Sequence, residues 1–260
     1  MKITRYSITT DKINNPIKLA CVSDLHARPA NQVISKLENM RPDIILLAGD
    51  ILEISTDYME KRNRDALDFL RRAANIAPCY YCFGNHEIYY SHAKFGKPKV
   101  SDPALRSHHM DIISEYGINM INDTDREVTV CGNNILIGGL VCGRDMDPAL
   151  NSPLPDLDFI SHFSRKQGFK ILLCHYPQHY NKHLKSTDVD LILSGHAHGG
   201  QWRIFGQGIY SPHQGLFPKY TSGIHDGRLI ISRGAVNNSK PIPRFFNPTE
   251  ILEIEISPPK

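Results

Sequence analysis

A chain of 260 residues with 41% hydrophobic and 22% charged residues has the composition of an ordinary globular protein, which sets disordered and fibrous classes aside. Its net charge of +3 comes from scattered Lys and Arg, so charge nominates neither nucleic acid nor a specific protein partner. No apolar run reaches the roughly 18 residues that span a bilayer, and Met1-Lys2-Ile3-Thr4-Arg5 leads into polar residues rather than a signal-peptide core. The expected organisation is one domain over residues 1–260 in the cytoplasm or peripheral to a membrane. The six cysteines, Cys21, Cys79, Cys82, Cys131, Cys142 and Cys174, mostly sit inside or beside apolar runs and read as reduced, buried thiols. Cys79-Tyr80-Tyr81-Cys82 matches C-x-x-C but lies in a strand pattern without a second cysteine pair, so it reads as core.

In chain order, the spacing predicts a strand over Ile17–Ser23, a helix over Asn31–Met40 and a fully buried strand over Ile44–Ala48. A helical stretch follows from about Asp57 to Asn75, with Ala66, Leu67, Leu70, Ala73 and Ala74 on one face, and then a strand over Cys79–Phe83. This alternation is the pattern of βαβ units and a largely parallel sheet. From about Ile118 the texture shifts to closely spaced strands, Glu127–Val130 and Ile135–Leu140, which predicts a second sheet with antiparallel pairing. Lys170–Cys174 and Val189–Leu193 are short buried strands with a segment of helical length between them, including a helix over Pro177–Leu184. Strands over Arg228–Ser232 and Ile251–Ile256 close the chain. The implied architecture is α/β, two sheets each covered by helices on its outer face. Ile88–Pro103, with Lys94, Lys97 and Lys99, and the Gly- and Pro-rich Ala197–Lys219 lack periodicity; loops of that length are often functional.

Five fragments sit just past the carboxyl ends of predicted buried strands: Asp24-Leu25-His26, Gly49-Asp50, Gly84-Asn85-His86-Glu87, His175, and Gly195-His196-Ala197-His198. In open α/β sheets ligands bind in that crevice, so residues distant in sequence converge. Asp, Asn and His together offer hard oxygen and borderline nitrogen donors without thiolate, a set that suits Mn, Fe, Zn, Co or Ni. There are donors enough for two ions, which a carboxylate can bridge at about 3.5–4 Å. Glycines before Asp50, Asn85 and His196 fit sharp strand-to-loop turns. Each fragment alone is weak; their order and strand-end placement together argue for a metal centre.

The ordered set D-x-H, G-D, G-N-H-E, H, G-H-x-H resembles the calcineurin-like metallophosphoesterase superfamily over Asp24–His198. The string Ser194-Gly195-His196-Ala197-His198-Gly199-Gly200-Gln201, with Pro241-Ile242-Pro243-Arg244 and Pro248-Thr249-Glu250-Ile251, is similar to its bacterial YaeI/YkuE-like branch, although Gly234-Ala235-Val236 stands where relatives usually read G-L-G. The resemblance implies a four-layer α/β/β/α sandwich with two mixed β-sheets. It implies Asp24, His26 and His198 on one ion, Asn85, His175 and His196 on a second, and Asp50 bridging. His86 would act on the leaving oxygen as electrophile or general acid, oriented by Glu53. The implied cofactors are two divalent or mixed-valence ions, and the implied reaction is attack of a metal-bridging hydroxide on a small phosphoester.

Related protein phosphatases continue G-D as G-D-x-V-D-R-G, with an arginine that clamps a terminal phosphate; Gly49-Asp50-Ile51-Leu52-Glu53-Ile54-Ser55 has none, which points toward phosphodiesters. A nucleotide-sugar pyrophosphatase of lipid A synthesis (UDP-2,3-diacylglucosamine type) and a non-catalytic scaffold on the same fold are the alternatives, together with a dinuclear amide or ester hydrolase, a class that often opens with H-x-H. Arg28 is a candidate phosphate contact. Arg244 reads either as a substrate contact or as an arm of a fold-closing ion pair. His179 and His183, four apart, read as a solvated helix face, and His92, His108, His109, His162, His213 and His225 as surface residues.

Overall fold

A computed structural model describes residues 1–53, 59–90, 99–100, 103–141, 146–147, 152–212, 214–237 and 243–259. Ile54, Ser55, His92, Lys94, Lys97, Cys142, His213, Pro241 and Ile242 lie outside them. Twelve strands make the two large sheets: β1 (Lys2–Thr9), β2 (Ile17–Val22), β3 (Ile44–Ala48), β4 (Cys79–Cys82), β5 (Asn119–Met120), β6 (Thr124–Val130), β7 (Asn133–Leu140), β8 (Phe169–Cys174), β9 (Leu191–Ser194), β10 (Gly223–His225), β11 (Leu229–Ile231) and β12 (Glu250–Ser257). The helices are α1 (Asn31–Met40), α2 (Met59–Ala74), the single turn α3 (Asn85–Ile88), α4 (Pro103–Glu115) and α5 (Leu157–Ser164).

The first sheet runs β1-β12-β2-β3-β4-β5 and the second β10-β11-β9-β8-β7-β6. Both are mixed. The inner neighbours β2, β3 and β4 are parallel, as are β11, β9, β8 and β7, while β2/β12, β6/β7 and β10/β11 are antiparallel. Alternation along each strand sorts the core into layers. Leu19, Cys21, Ile44, Leu46 and Tyr80 pack between the sheets against Phe169, Ile171, Leu173, Leu191 and Leu193. Ala20, Val22, Ile45, Leu47 and Tyr81 face outward onto Val33, Ile34 and Leu37 of α1 and Ala66, Phe69 and Leu70 of α2. On the far side, Leu172, Cys174 and Ile192 pack on Ile160 and Phe163 of α5. The result is the α/β/β/α sandwich.

Several elements differ from the sequence expectation. Asn119–Met120 is not the start of the second sheet; it pairs parallel with β4 at the edge of the first. The expected helix over Pro177–Leu184 is a five-residue π-turn, Tyr180–Leu184, closed by an i→i+5 bond from Lys185 N–H to the Tyr180 carbonyl (2.8 Å). It turns His179 inward, so that residue is buried instead of solvated. His109 is also buried, on the inner face of α4. Among the cysteines, Cys21, Cys79, Cys82 and Cys174 are buried and free, whereas Cys131 is exposed at the left-handed turn between β6 and β7 (φ 50°). Cys79 and Cys82 lie on opposite faces of β4, one toward the helices and one between the sheets. Among the described residues, no helix is long and apolar enough to cross a membrane.

Candidate metal centre

The loops that leave β2, β3, β4, β8 and β9 carry the five fragments to one edge of the paired sheets. Backbone bonds continue past the strand ends: Asp24 N–H donates to the Gly49 carbonyl (3.0 Å), His26 N–H to Asp50 (2.9 Å), and Gly195 N–H to His175 (3.2 Å). Turning so sharply forces left-handed backbone on residues that avoid it. Asp24, His26, Asp50, His196 and His198 have φ of 54°, 50°, 54°, 65° and 47°, and such strain clusters at functional sites. Gly49 (φ 86°) shows why the approach needs glycine, since a Cβ there would lie 2.6 Å from His175 Nδ1 and 2.7 Å from the Gly84 backbone.

Three sets of donors result. His26, Glu53 and His86 present ligand atoms within 4.8 Å of one another, and so do the two groups around Asp50: Asp24, His26 and His198, and Asp50, His175 and His196. Asp50 faces both, with Oδ2 3.0 Å from His175 Nε2 and 3.9 Å from His26 Nε2. Asn85 joins the second group through Oδ1, 2.9 Å from His196 Nδ1. Two further ring nitrogens are anchored, which fixes how those imidazoles point. His26 Nδ1 bonds Glu53 Oε1 (2.7 Å) and His175 Nδ1 donates to the Ala48 carbonyl (2.7 Å). Asp24 Oδ1 accepts from His196 N–H (3.0 Å), while Asp24 Oδ2 is buried with no hydrogen-bond partner among the described residues. A carboxylate oxygen left so is costly unless something else binds it; a cation fits this atom and this donor set.

Glu53 spans two roles. Its Oε2 lies 2.9 Å from His86 Nδ1, while its Oε1 holds His26, so one carboxylate orients both rings. Burial pushes the Glu53 carboxyl up, but the bonds from His26 and His86 outweigh it and bring it down to about 2. Burial likewise opposes the charge of Asp50, yet His175, His86 and His26 hold its carboxyl well below the usual range. For His86, burial disfavours the cation, but Asp50 and Glu53 push the imidazole up to about 10. A third of the His86 side chain remains exposed, with Nε2 3.9 Å from Asp50 Oδ2. His198 goes the other way: burial, aided by His26 and Arg244, holds it down to about 3 and therefore neutral.

Three residues support the centre, and two of them, Glu87 and Tyr176, have no role in the sequence reading. Glu87 is fully buried and accepts from the backbone N–H groups of Asp50 (3.0 Å), Ile51 (2.7 Å), Leu52 (2.9 Å) and Gly84 (2.7 Å), and from the Tyr81 hydroxyl (2.5 Å). It knots the β3 and β4 loops together. Burial and the Asp50 charge push its carboxyl up, against the pull of these donors. Tyr176 packs edge-on against the His196 ring at 4.2 Å, backed by His179 at 5.5 Å. Arg244 does not close the fold through a carboxylate among the described residues; its guanidinium donates to the carbonyls of Arg233 (2.6 Å) and Val236 (2.7 Å) and lies 3.0 Å from His198 Nδ1. Arg28 is half-buried, its N–H bonded to the Leu25 carbonyl (3.1 Å), and its side chain takes no part in the hydrogen bonds described at this site.

The fold and the clustered donors define a phosphoesterase-type metal site, and comparison gives the family. The family model for the calcineurin-like phosphoesterases matches residues 17–200, and the chain belongs to that family. An uncharacterized metallophosphoesterase of Helicobacter pylori J99 is 26% identical over 99% of this chain and 64% of its own length. A transmembrane protein with a metallophosphoesterase domain from Danio rerio is 24% identical over 77% of this chain and 45% of its own. Among solved structures, a phosphopantetheinyl hydrolase of Mycobacterium tuberculosis aligns with a TM-score of 0.49 at 16% identity, covering 84% of this chain and 89% of that one. The chain thus spans less than two thirds of the length of the curated relatives it first matches.

Proposed function

We propose that this chain hydrolyses phosphate esters, diesters in preference to monoesters, at a centre that binds two divalent or mixed-valence ions. The observation that carries the reading is Asp50 facing both donor groups at the carboxyl ends of the sheets. Asp24, His26 and His198 would hold one ion, Asn85, His175 and His196 the other, and Asp50 both. When bound, such ions act as Lewis acids toward the phosphoryl oxygens and lower the pKa of water near neutrality.

The chain's own residues then divide the remaining work. Glu53 holds His26 in the tautomer that leaves Nε2 toward its donor group, and the Ala48 carbonyl does the same for His175. His86 is held by Glu53 through Nδ1 (2.9 Å) and keeps a third of its side chain exposed, so in its protonated form it can deliver a proton to a departing alkoxide. The absence of an arginine after Gly49-Asp50 removes a clamp for a doubly charged terminal phosphate and supports the diester preference.

The test is turnover of bis-p-nitrophenyl phosphate beside p-nitrophenyl phosphate by metal-stripped protein reconstituted with Mn, Zn or Fe. Faster diester cleavage with at least one metal is expected. Faster monoester cleavage with every metal removes the diester preference, and no turnover of either removes the reaction.

A further inference from the structure

We propose that the face built from residues 202–212, 214–217 and 243–247 docks this protein onto an anionic lipid bilayer. The stretch read as aperiodic in sequence forms two short antiparallel ribbons, Arg203–Ile204 with Gln207–Gly208 and Tyr210–Ser211 with Gly215–Leu216. They join the later segment through the Trp202–Phe245 bridge and the bond from Arg203 N–H to the Phe245 carbonyl (3.1 Å). Ile209 N–H to Trp202 (2.9 Å) and Phe217 N–H to Ile209 (2.8 Å) complete one backbone network. Its apolar side chains point outward: Phe205 is 106% exposed, Phe246 89%, Leu216 71%, Phe217 66%, and Ile204 and Phe245 56% each. Most large exposed apolar residues of the described chain belong to this face, and such concentrations mark interaction sites.

Backbone conformation points the same way independently. Phe205, Phe217 and Phe246 sit at left-handed turns, with φ of 47°, 50° and 52°. Such a turn costs an aromatic residue about 1 kcal/mol or more and suits Gly or Asn. Three phenylalanines therefore bear strain and water exposure together, a combination with no benefit to the isolated fold. The charge pattern selects the partner. Residues 202–219 and 243–247 contain Arg203, Lys219 and Arg244 and no Asp or Glu. Aromatic tips on separate tight turns amid cations match the boundary between anionic headgroups and acyl chains. The face adjoins the metal centre, because Asn247 Nδ2 donates to the His198 carbonyl (2.7 Å). Docking would bring the centre close to the lipid surface.

Co-sedimentation with vesicles of phosphatidylcholine alone, and of phosphatidylcholine mixed equally with phosphatidylglycerol, tests the assignment. The wild-type chain is expected to pellet with the mixed vesicles and to be released by salt. Phe205→Asn/Phe217→Asn/Phe246→Asn is expected to bind at least about tenfold more weakly with no loss of Tm. Should that variant fail to fold, the wild type decides alone: Trp202 is the chain's sole tryptophan, so its emission should shift on adding mixed vesicles and be quenched by brominated lipid. No pelleting with mixed vesicles, unchanged binding by the folded variant, or unquenched Trp202 overturns the proposal. A wild-type dimer that the variant dissociates also overturns it, by giving the face to a second copy.

Discussion

At the residue scale, the side chains proposed to bind metal and those that hold them in place are distinct. His86 is a third exposed and bonded to Glu53, in a donor group with Glu53 and His26 rather than in either of the two groups that Asp50 faces. His86→Ala is expected to lower kcat by about 10²–10⁴ while leaving metal content unchanged, measured on the same protein; an equal loss of both would make His86 a ligand. Glu87 is the opposite case. It touches no reacting group but satisfies four backbone N–H groups and the Tyr81 hydroxyl in the interior. Glu87→Ala strands those donors and is expected to destabilise the protein by about 3 kcal/mol or more, read from urea unfolding; a cost below about 1 kcal/mol would contradict that role. The candidate donors were legible because Asp, Asn and His after buried strands form an ordered pattern. Glu87, though inside the same motif, works through main-chain amides, which leave no partner residues to read. Tyr176 and Arg244 act through contacts made only once the fold brings distant segments together.

At the scale of elements, strand ends set the geometry. Gly49→Ala would drive a Cβ against His175 and the Gly84 backbone at a positive φ; an overpacked, strained turn of this kind costs about 1–3 kcal/mol, and metal affinity should fall with it. Wild-type stability and metal content in that variant would refute the close approach. Asp123, at the left-handed turn before β6, gives a pH signature away from the centre. Burial pushes its carboxyl up to about 6 despite the Val141 N–H that it accepts. A folded pKa above the unfolded one means stability present below about 4 and lost as pH rises through about 6. Asp123→Asn should therefore raise the unfolding free energy at pH 8 more than at pH 4.5, by about 1 kcal/mol after solvent screening, read from urea unfolding at the two pH values. A pH-independent effect would count against it. The inner strands were readable because five consecutive apolar residues, as in β3, have no solvated face. The inner face of α4 was not, because His109 fills a buried position one turn before Ile113. The half-exposed β1 gave no clean alternation, and it gains its pairing from β12 at the far end of the chain.

For the whole molecule, two mixed sheets face each other across one apolar layer and present their parallel strand ends at a common edge. That edge collects negative and imidazole donors, and metal bound to the folded state alone must add stability. At a hundredfold excess over Kd, loading with Mn is expected to raise stability by about 2.7 kcal/mol, seen as a higher Tm that EDTA reverses. An unchanged Tm would mean that the donors do not bind it. The measurement that bears most directly on the centre is metal content per chain by plasma mass spectrometry after loading and desalting, with Asp50→Ala beside the wild type. About two ions per wild-type chain and the loss of both in Asp50→Ala are expected. A wild-type chain that holds no ion, or one whose ions survive loss of Asp50, would contradict a two-ion site joined at that carboxylate.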